Sequence, residues 1–285
     1  MGSLVSIRRR IKSAKNIAQI TRAMEMVSAS KMRKAQDSAL STRPFTEKLV
    51  SMIRRLSADN EAKSHRLAII REEKNILVVL SSTTKGLCGG LNVNLYRGFR
   101  ELVDNNPNAN FAVVALGTKS KWVIKGKDIS IVAKFGDLGE TVTFEESRSV
   151  SRFVVDSFVK GDYDSVYILY PKFLTTLTNV ITSHKLLPIA PTETDETIAS
   201  TDYTIEPNPT ELIDMLMPYQ LEMSVYQIIL ESRATEHSAR MVAMKNASDN
   251  ARDLIGSLTL DYNQARQSQV TSSLLDVTTA RMALE

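Results

Sequence analysis

One segment has the composition of a phosphate-binding turn: Lys85-Gly-Leu-Cys-Gly-Gly-Leu-Asn92 follows a β-branched run and precedes a helical pattern. Glycines between a strand and a helix let backbone N–H groups converge on an anion at the helix N-terminus. The spacing, however, is neither GxGxxG nor GxxxxGK followed by Ser or Thr. No acidic residue stands where a ribose or a magnesium ion would need one. The segment therefore reads as a tight turn, with Asn92 capping the helix that follows. Cys88 could act as a nucleophile only with a base beside it, and no signature joins it to His65, His184 or His237. His65 stands in a polar stretch and His237 on the apolar face of a helical segment, so Cys88 reads as a small buried residue. A single cysteine excludes an internal disulfide and a site of several thiolates, and scattered histidines do not make a metal centre. No catalytic, cofactor-binding or metal-binding residue is assigned.

The elements around this turn fall into two kinds. From Leu4, residues Ile7, Ile11, Ala14, Ile17, Thr21, Met24 and Val27 recur mostly three and four apart, which is one face of a helix. Pro44 is expected to kink that helix or to start a new stretch, carried on by Leu49, Met52, Ile53 and Leu56. After Glu206-Pro-Asn-Pro, a second stripe runs through Leu212, Leu216, Tyr219, Met223, Tyr226 and Leu230. Its phase slips by four residues at Ala234, a stutter that relaxes supercoiling. It then resumes through His237, Met241, Met244, Ser248, Ala251, Ile255, Leu258, Tyr262 and Ala265. Pro218 is expected in the first turn of this main helix. Roughly seventy residues at 1.5 Å each make a helix on the order of 100 Å long, which must pair along part of its length and project for the rest. Small residues from Ala234 to Ala251 let a partner helix come close, and the N-terminal helix is the intramolecular candidate.

Between these ends the period changes. β-branched runs at Ile76–Ser81, Phe111–Leu116, Ile129–Val132, Val166–Tyr170 and Val180–Ser183 alternate in part with helical stretches near Leu91–Val103 and Glu145–Val159. That order predicts a mostly parallel sheet with helices on its faces. The expected fold is thus mixed: a long antiparallel N- and C-terminal helical coiled coil (residues 1–57 and 209–285) with an inserted α/β domain (70–205).

Of 285 residues, 24% are charged and 6% aromatic, an ordinary globular composition. The formal charge of +4 is unevenly spread: residues 1–57 carry 13 Lys and Arg against 3 Asp and Glu, whereas residues 209–285 carry 6 against 10. The two ends can attract each other, or the first can serve an acidic partner. Six cations before Glu25 resemble a mitochondrial presequence, but the helical pattern runs on where cleavage would fall. No apolar run approaches the roughly 18 residues of a membrane span. No base-reading or stacking module accompanies the basic helix, so nucleic acid is not an expected partner.

Four strings resemble the gamma subunit of F-type ATP synthases: residues 7–36 (IRRRIKSAKNIAQITRAMEMVSASKMRKAQ), 86–95 (GLCGGLNVNL), 231–251 (ESRATEHSARMVAMKNASDNA) and 262–277 (YNQARQSQVTSSLLDV). They stand in the family's order and span essentially the whole chain. The resemblance implies a central stalk. Its helical pair would sit in the bore of an alpha/beta hexamer, its middle domain would be Rossmann-like without catalytic nucleotide binding, and its foot would rest on the membrane c-ring beside the epsilon subunit. One copy per complex would turn with the ring and couple ion flow to ATP synthesis or hydrolysis on the beta subunits; the chain itself would not be catalytic. Met24 matches the family's coupling-sensitive methionine, and Arg266 and Gln267 match residues that hydrogen-bond the beta-subunit catch loop. Tyr203 and Glu206 match positions at the rotor ring. Arg8, Arg9, Lys12 and Lys15 are inferred from charge to face acidic loops of the hexamer.

The sequence departs from that pattern in two places. Thr84-Lys85 precedes the glycines where an acid followed by a base is usual, and Arg281 puts a charge near a tip expected to enter an apolar sleeve. The second thiol of the redox-regulated chloroplast form is missing, so thiol switching is not expected. Without a convincing presequence, a bacterial protein on the cytoplasmic face of the inner membrane is expected. Two rival readings are a non-rotary coiled-coil scaffold or tether, and a small nucleotide-dependent enzyme in the middle domain.

Overall fold

The computed structural model describes residues 4–56, 65–126, 129–136, 139, 142–189 and 208–282. The chain divides into two compact units. One comprises residues 29–239 and the other residues 1–28 with 240–285. Helices α1 (Leu4–Leu56) and α5 (Pro209–Met282) contribute to both.

In the larger unit, β1 (Asn75–Ser81), β2 (Asn110–Leu116), β3 (Ser130–Phe135), β4 (Ser165–Phe173) and β5 (Asn179–Leu187) form one sheet. It has five strands in the order β3-β2-β1-β4-β5. All neighbours are parallel except the β4–β5 hairpin. β1 is central and buried along nearly its whole length, which is why its sequence, Asn-Ile-Leu-Val-Val-Leu-Ser, is a continuous apolar run rather than an alternation. One face packs Ile76, Val78 and Leu80 against Leu95 and Phe99 of α2 (Leu91–Asp104) and Val123 of the one-turn α3 (Ser120–Val123). The other packs Leu77 and Val79 against Val150, Val154 and Phe158 of α4 (Phe144–Lys160), and against Met217, Leu221 and Val225 of α5. The C-terminal helix is therefore a wall of the α/β core.

Local chemistry fixes the helix ends. Thr143 and Glu146 cap each other's backbone at the start of α4, and Gly161 ends it in the left-handed conformation. α5 opens at Pro209, whose missing N–H needs no partner in a first turn, and Asn208 Oδ1 accepts from Glu211 N–H at 2.8 Å. Pro218 thus lies inside α5 instead of opening it. Pro44 likewise lies inside α1, which continues through it. The carbonyl that Pro44 strips of its helical donor belongs to Leu40, an exposed residue whose backbone water can serve.

Within this unit α1 and α5 run antiparallel. Thr42 donates to Gln227 at 2.6 Å, and Gln227 donates to the Ala39 carbonyl at 3.2 Å. Further along α1, Phe45 stacks edge-on against Tyr219, and Leu49 and Ile53 bury Met223. The stripe read from the sequence of α5, with Leu216, Met223 and Tyr226, is the one that faces α1.

In the smaller unit the two helices present complementary stripes. α5 buries Met244, Ser248, Ala251 and Leu258, with Ile255, Tyr262 and Ala265 half-buried, as the sequence pattern predicts. α1 buries Ala14, Thr21 and Ser28, with Leu4, Ile7, Ile11 and Ala18 half-buried. Ile17 and Val27, expected on this stripe, are instead 53% exposed. Ala18 and Ser28 take their places, keeping the three-four alternation that an underwound helical seam requires. Helical phase rather than hydrophobicity thus decides which side chains turn inward, and the small residues that fall in phase let the two backbones approach.

Candidate functional site

The glycine-rich turn lies at the carboxyl edge of β1, where a doubly wound sheet leaves a crevice between the strands at which its order reverses. In this chain those strands are β1 and β4, and α5 occupies the position. Ser81 Oγ lies 2.7 Å from Ser232 Oγ in a buried pair, and Arg233 donates to Thr84 Oγ1 at 3.2 Å. On the far side, Ser238 donates to the Thr176 carbonyl in the β4–β5 turn at 2.6 Å. A turn of helix thus fills the space in which a nucleotide would lie.

Asn92 does not cap α2, whose N-cap is Gly90 with no side-chain bond. Its amide lies within 2.9 Å of Thr83 Oγ1 and donates to Cys88 Sγ at 3.6 Å. It therefore fastens the turn to the end of β1, and the buried Cys88 is part of that fastening. Gly117 completes the edge with φ +91°, and a Cβ there would meet the Ser82 carbonyl oxygen at 2.3 Å. Among the described residues no group of His, Cys, Asp and Glu could hold a metal ion.

The residues singled out for partner contact gather elsewhere. Arg8, Arg9, Lys12, Lys15, Met24, Arg266 and Gln267 all belong to the smaller unit. Arg8, Arg9, Arg10, Lys12 and Lys15 are exposed, and among the described residues none has an ion-pair partner. Arg22 differs: its Nη1 donates to both Glu25 carboxylate oxygens at 2.8 Å. The first acid of the chain is thereby spent locally, leaving the preceding three turns uniformly positive. Met24 is half-buried. Tyr203 and Glu206 lie outside the described residues.

Two exposed apolar surfaces were not read as such from the sequence. Ile17, Ile20, Met26 and Val27 leave apolar surface on α1 away from its seam, at 53 to 60% exposure. On α5, every residue from Arg266 to Met282 is exposed, including Val270, Leu274, Leu275 and Val277. A count of apolar positions off the main stripe would have found both. Arg281, unexpected near an apolar tip, sits in the last turn of α5, where a cation complements the helix C-terminus.

Among the described residues no helix is long and apolar enough to cross a membrane. The family model for ATP synthase matches residues 3–284. The ATP synthase gamma chain of Pelotomaculum thermopropionicum is 38% identical over 285 residues, covering 100% of both chains. That of Dehalococcoides mccartyi is 41% identical over 288 aligned positions, again covering 100% of both. Among solved structures, the central stalk and c-ring of the Tetrahymena thermophila mitochondrial ATP synthase contain a chain with a TM-score of 0.62 at 27% identity, covering 80% of this chain and 99% of that one. A chain of the Euglena gracilis mitochondrial ATP synthase shares the fold, with a TM-score of 0.66 at 18% identity over 99% of this chain and 95% of that one. The seam, the α/β core and these full-length matches lead to one conclusion: the chain belongs to the ATP synthase gamma-chain family.

Proposed function

We propose that this chain is the rotating shaft of its ATP synthase, present once per complex and transmitting torque between a membrane c-ring and an alpha/beta hexamer. The observation that carries the reading is the last stretch of α5. Seventeen consecutive positions, Arg266 to Met282, are exposed although leucines and valines recur among them. A bare helix studded with apolar residues calls for a sleeve supplied by other subunits. The exposed cations of α1 suit an acidic surface on the same hexamer, where complementary charge sets register more than affinity.

In this reading Arg8, Arg9, Lys12, Lys15 and Met24 meet the hexamer near the mouth of its bore, and Arg266 and Gln267 hydrogen-bond a beta-subunit loop deeper in. Tyr203 and Glu206 meet the rotor ring beside the epsilon subunit. ATP is made and hydrolysed on the beta subunits. The shaft's part is differential contact: an asymmetric surface that binds each conformation of a beta subunit unequally shifts their equilibrium as it turns. The chain is peripheral, at the cytoplasmic face of a bacterial membrane.

Co-expression with alpha and beta subunits of the same genome, followed by native mass determination, tests this. A particle of three alpha, three beta and one copy of this chain is expected. A stable homodimer that ignores the other subunits would instead identify a coiled-coil scaffold.

A further inference from the structure

Four hydroxyls within nine residues of α1, those of Ser38, Ser41, Thr42 and Thr46, lie against the helix's own backbone. Ser38 donates to the Lys34 carbonyl at 3.0 Å, Ser41 to that of Ser38 at 2.9 Å and Thr46 to that of Thr42 at 3.2 Å. Thr42 Oγ1 lies 3.2 Å from the carbonyls of both Ser38 and Ala39. A hydroxyl that shares a helical carbonyl draws it off the axis and bends the helix. Pro44 stands among these residues and leaves the Leu40 carbonyl without its helical donor. Two separate causes of helix bending therefore coincide in one stretch.

Across from this stretch α5 is held firmly. Val225, Ile228 and Ile229 are buried in the core it shares with the sheet. Gln227 reaches the other way: its Nε2 donates to the Ala39 carbonyl at 3.2 Å and its Oε1 accepts from Thr42 at 2.6 Å. Thr42 thus has one proton and three acceptors within reach. Gln227 is the nearest and takes it; when the helices part, either carbonyl at 3.2 Å receives it instead. Opening therefore strands no donor on α1. The half-buried Gln227 amide keeps Glu231 Oε1, 3.3 Å away along its own helix. The Arg43–Glu47 pair runs along α1 with both side chains 64% exposed, so it adds little stiffness.

We propose that residues 38–46 are a joint at which α1 bends while α5 stays straight, and that Gln227 is the clasp that closes it. Past the joint, Phe45, Leu49 and Ile53 hold α1 to Tyr219 and Met223 of α5, so the turns before the joint are the ones that swing. The helix pair then has one stiff member and one that yields at a set level.

The test is electron-spin distance measurement in the full-length chain carrying Cys88→Ser. One label sits at Leu177→Cys in the β4–β5 turn, the other at Ser30→Cys or at Lys48→Cys, on either side of the joint. All three positions are exposed. A bend of about 20° at residue 42 displaces residue 30, about 18 Å along the helix, by about 6 Å. The distances from position 30 should therefore spread over about 6 Å more than those from position 48. Pro44→Ala, which restores the missing helical bond, should narrow the first distribution to the width of the second. Gln227→Met keeps the length of the side chain without its amide, and should broaden the first distribution while leaving the second unchanged. Equal spread for the two pairs, an unchanged spread in Pro44→Ala, or a Gln227→Met chain that broadens both distributions or neither would each overturn the proposal.

Discussion

At Gly117 the backbone holds φ +91° and a Cβ would lie 2.3 Å from a carbonyl of the neighbouring strand end. Gly117→Ala should therefore destabilise the α/β unit by about 2–3 kcal/mol, read as a lowered thermal unfolding midpoint. The residues proposed to meet partners should behave differently, Arg266 being exposed and Met24 half-buried. Met24→Lys should leave assembly intact and impair ATP-driven ion pumping; unchanged pumping would remove Met24 from the contact. Arg266 is exposed on α5, so Arg266→Ala should leave the fold alone. Its effect should appear as a loss of about 1–3 kcal/mol in the hexamer contact, measured from torque and hydrolysis rates, if the bond is charge-assisted. Individual roles of this kind were legible only through resemblance. Nothing in the spacing of Arg266 distinguishes it from a solvated arginine, and its exposure here is common to both.

The helical elements show which sequence signals are reliable. The stripe Met244, Ser248, Ala251, Leu258 was readable because three-four spacing coincides with burial throughout. The inner strands β1, β2 and β4 were readable because buried strands are short continuous apolar runs, whereas β3 and the antiparallel β5 showed through their β-branched residues alone. Ile17 and Val27 were misplaced because hydrophobicity was allowed to outvote phase; the seam keeps strict alternation and selects Ala18 and Ser28. In α5, between about 213 and 230, the sequence reading followed one face while the helix uses two. Ile213, Met217 and Val225 face the sheet as Met223 and Tyr226 face α1. A helix that is apolar nearly all round carries no single periodic signal. These assignments predict opposite responses. Ala14→Leu overpacks the seam and should destabilise the helical pair by about 1–3 kcal/mol, seen in chemical denaturation. Ile17→Ser should change that stability by less than about 0.5 kcal/mol, yet weaken retention of the chain by the alpha/beta hexamer.

For the whole molecule, the central claim is that a structural element passes motion between two machines without doing chemistry itself. The α/β unit has the topology of a nucleotide-binding sheet, but Ser232, Arg233 and Ser238 of α5 bond across the edge at which a ligand would enter. That use of the crevice was not legible in the sequence, because Ser81 and Ser232 are 151 residues apart. The same bonds fasten a helix that continues into the other unit, as a torque-bearing element requires. The most direct test is to watch it turn. Leu177, in the β4–β5 turn, is 80% exposed, and Cys88 is the only cysteine. Leu177→Cys in a Cys88→Ser background gives one attachment point for a gold rod on a chain held in a surface-fixed alpha/beta hexamer. On adding ATP the account predicts unidirectional rotation of the rod in three equal steps per turn, set by the threefold ring. A rod that stays still while the same particles hydrolyse ATP would contradict it.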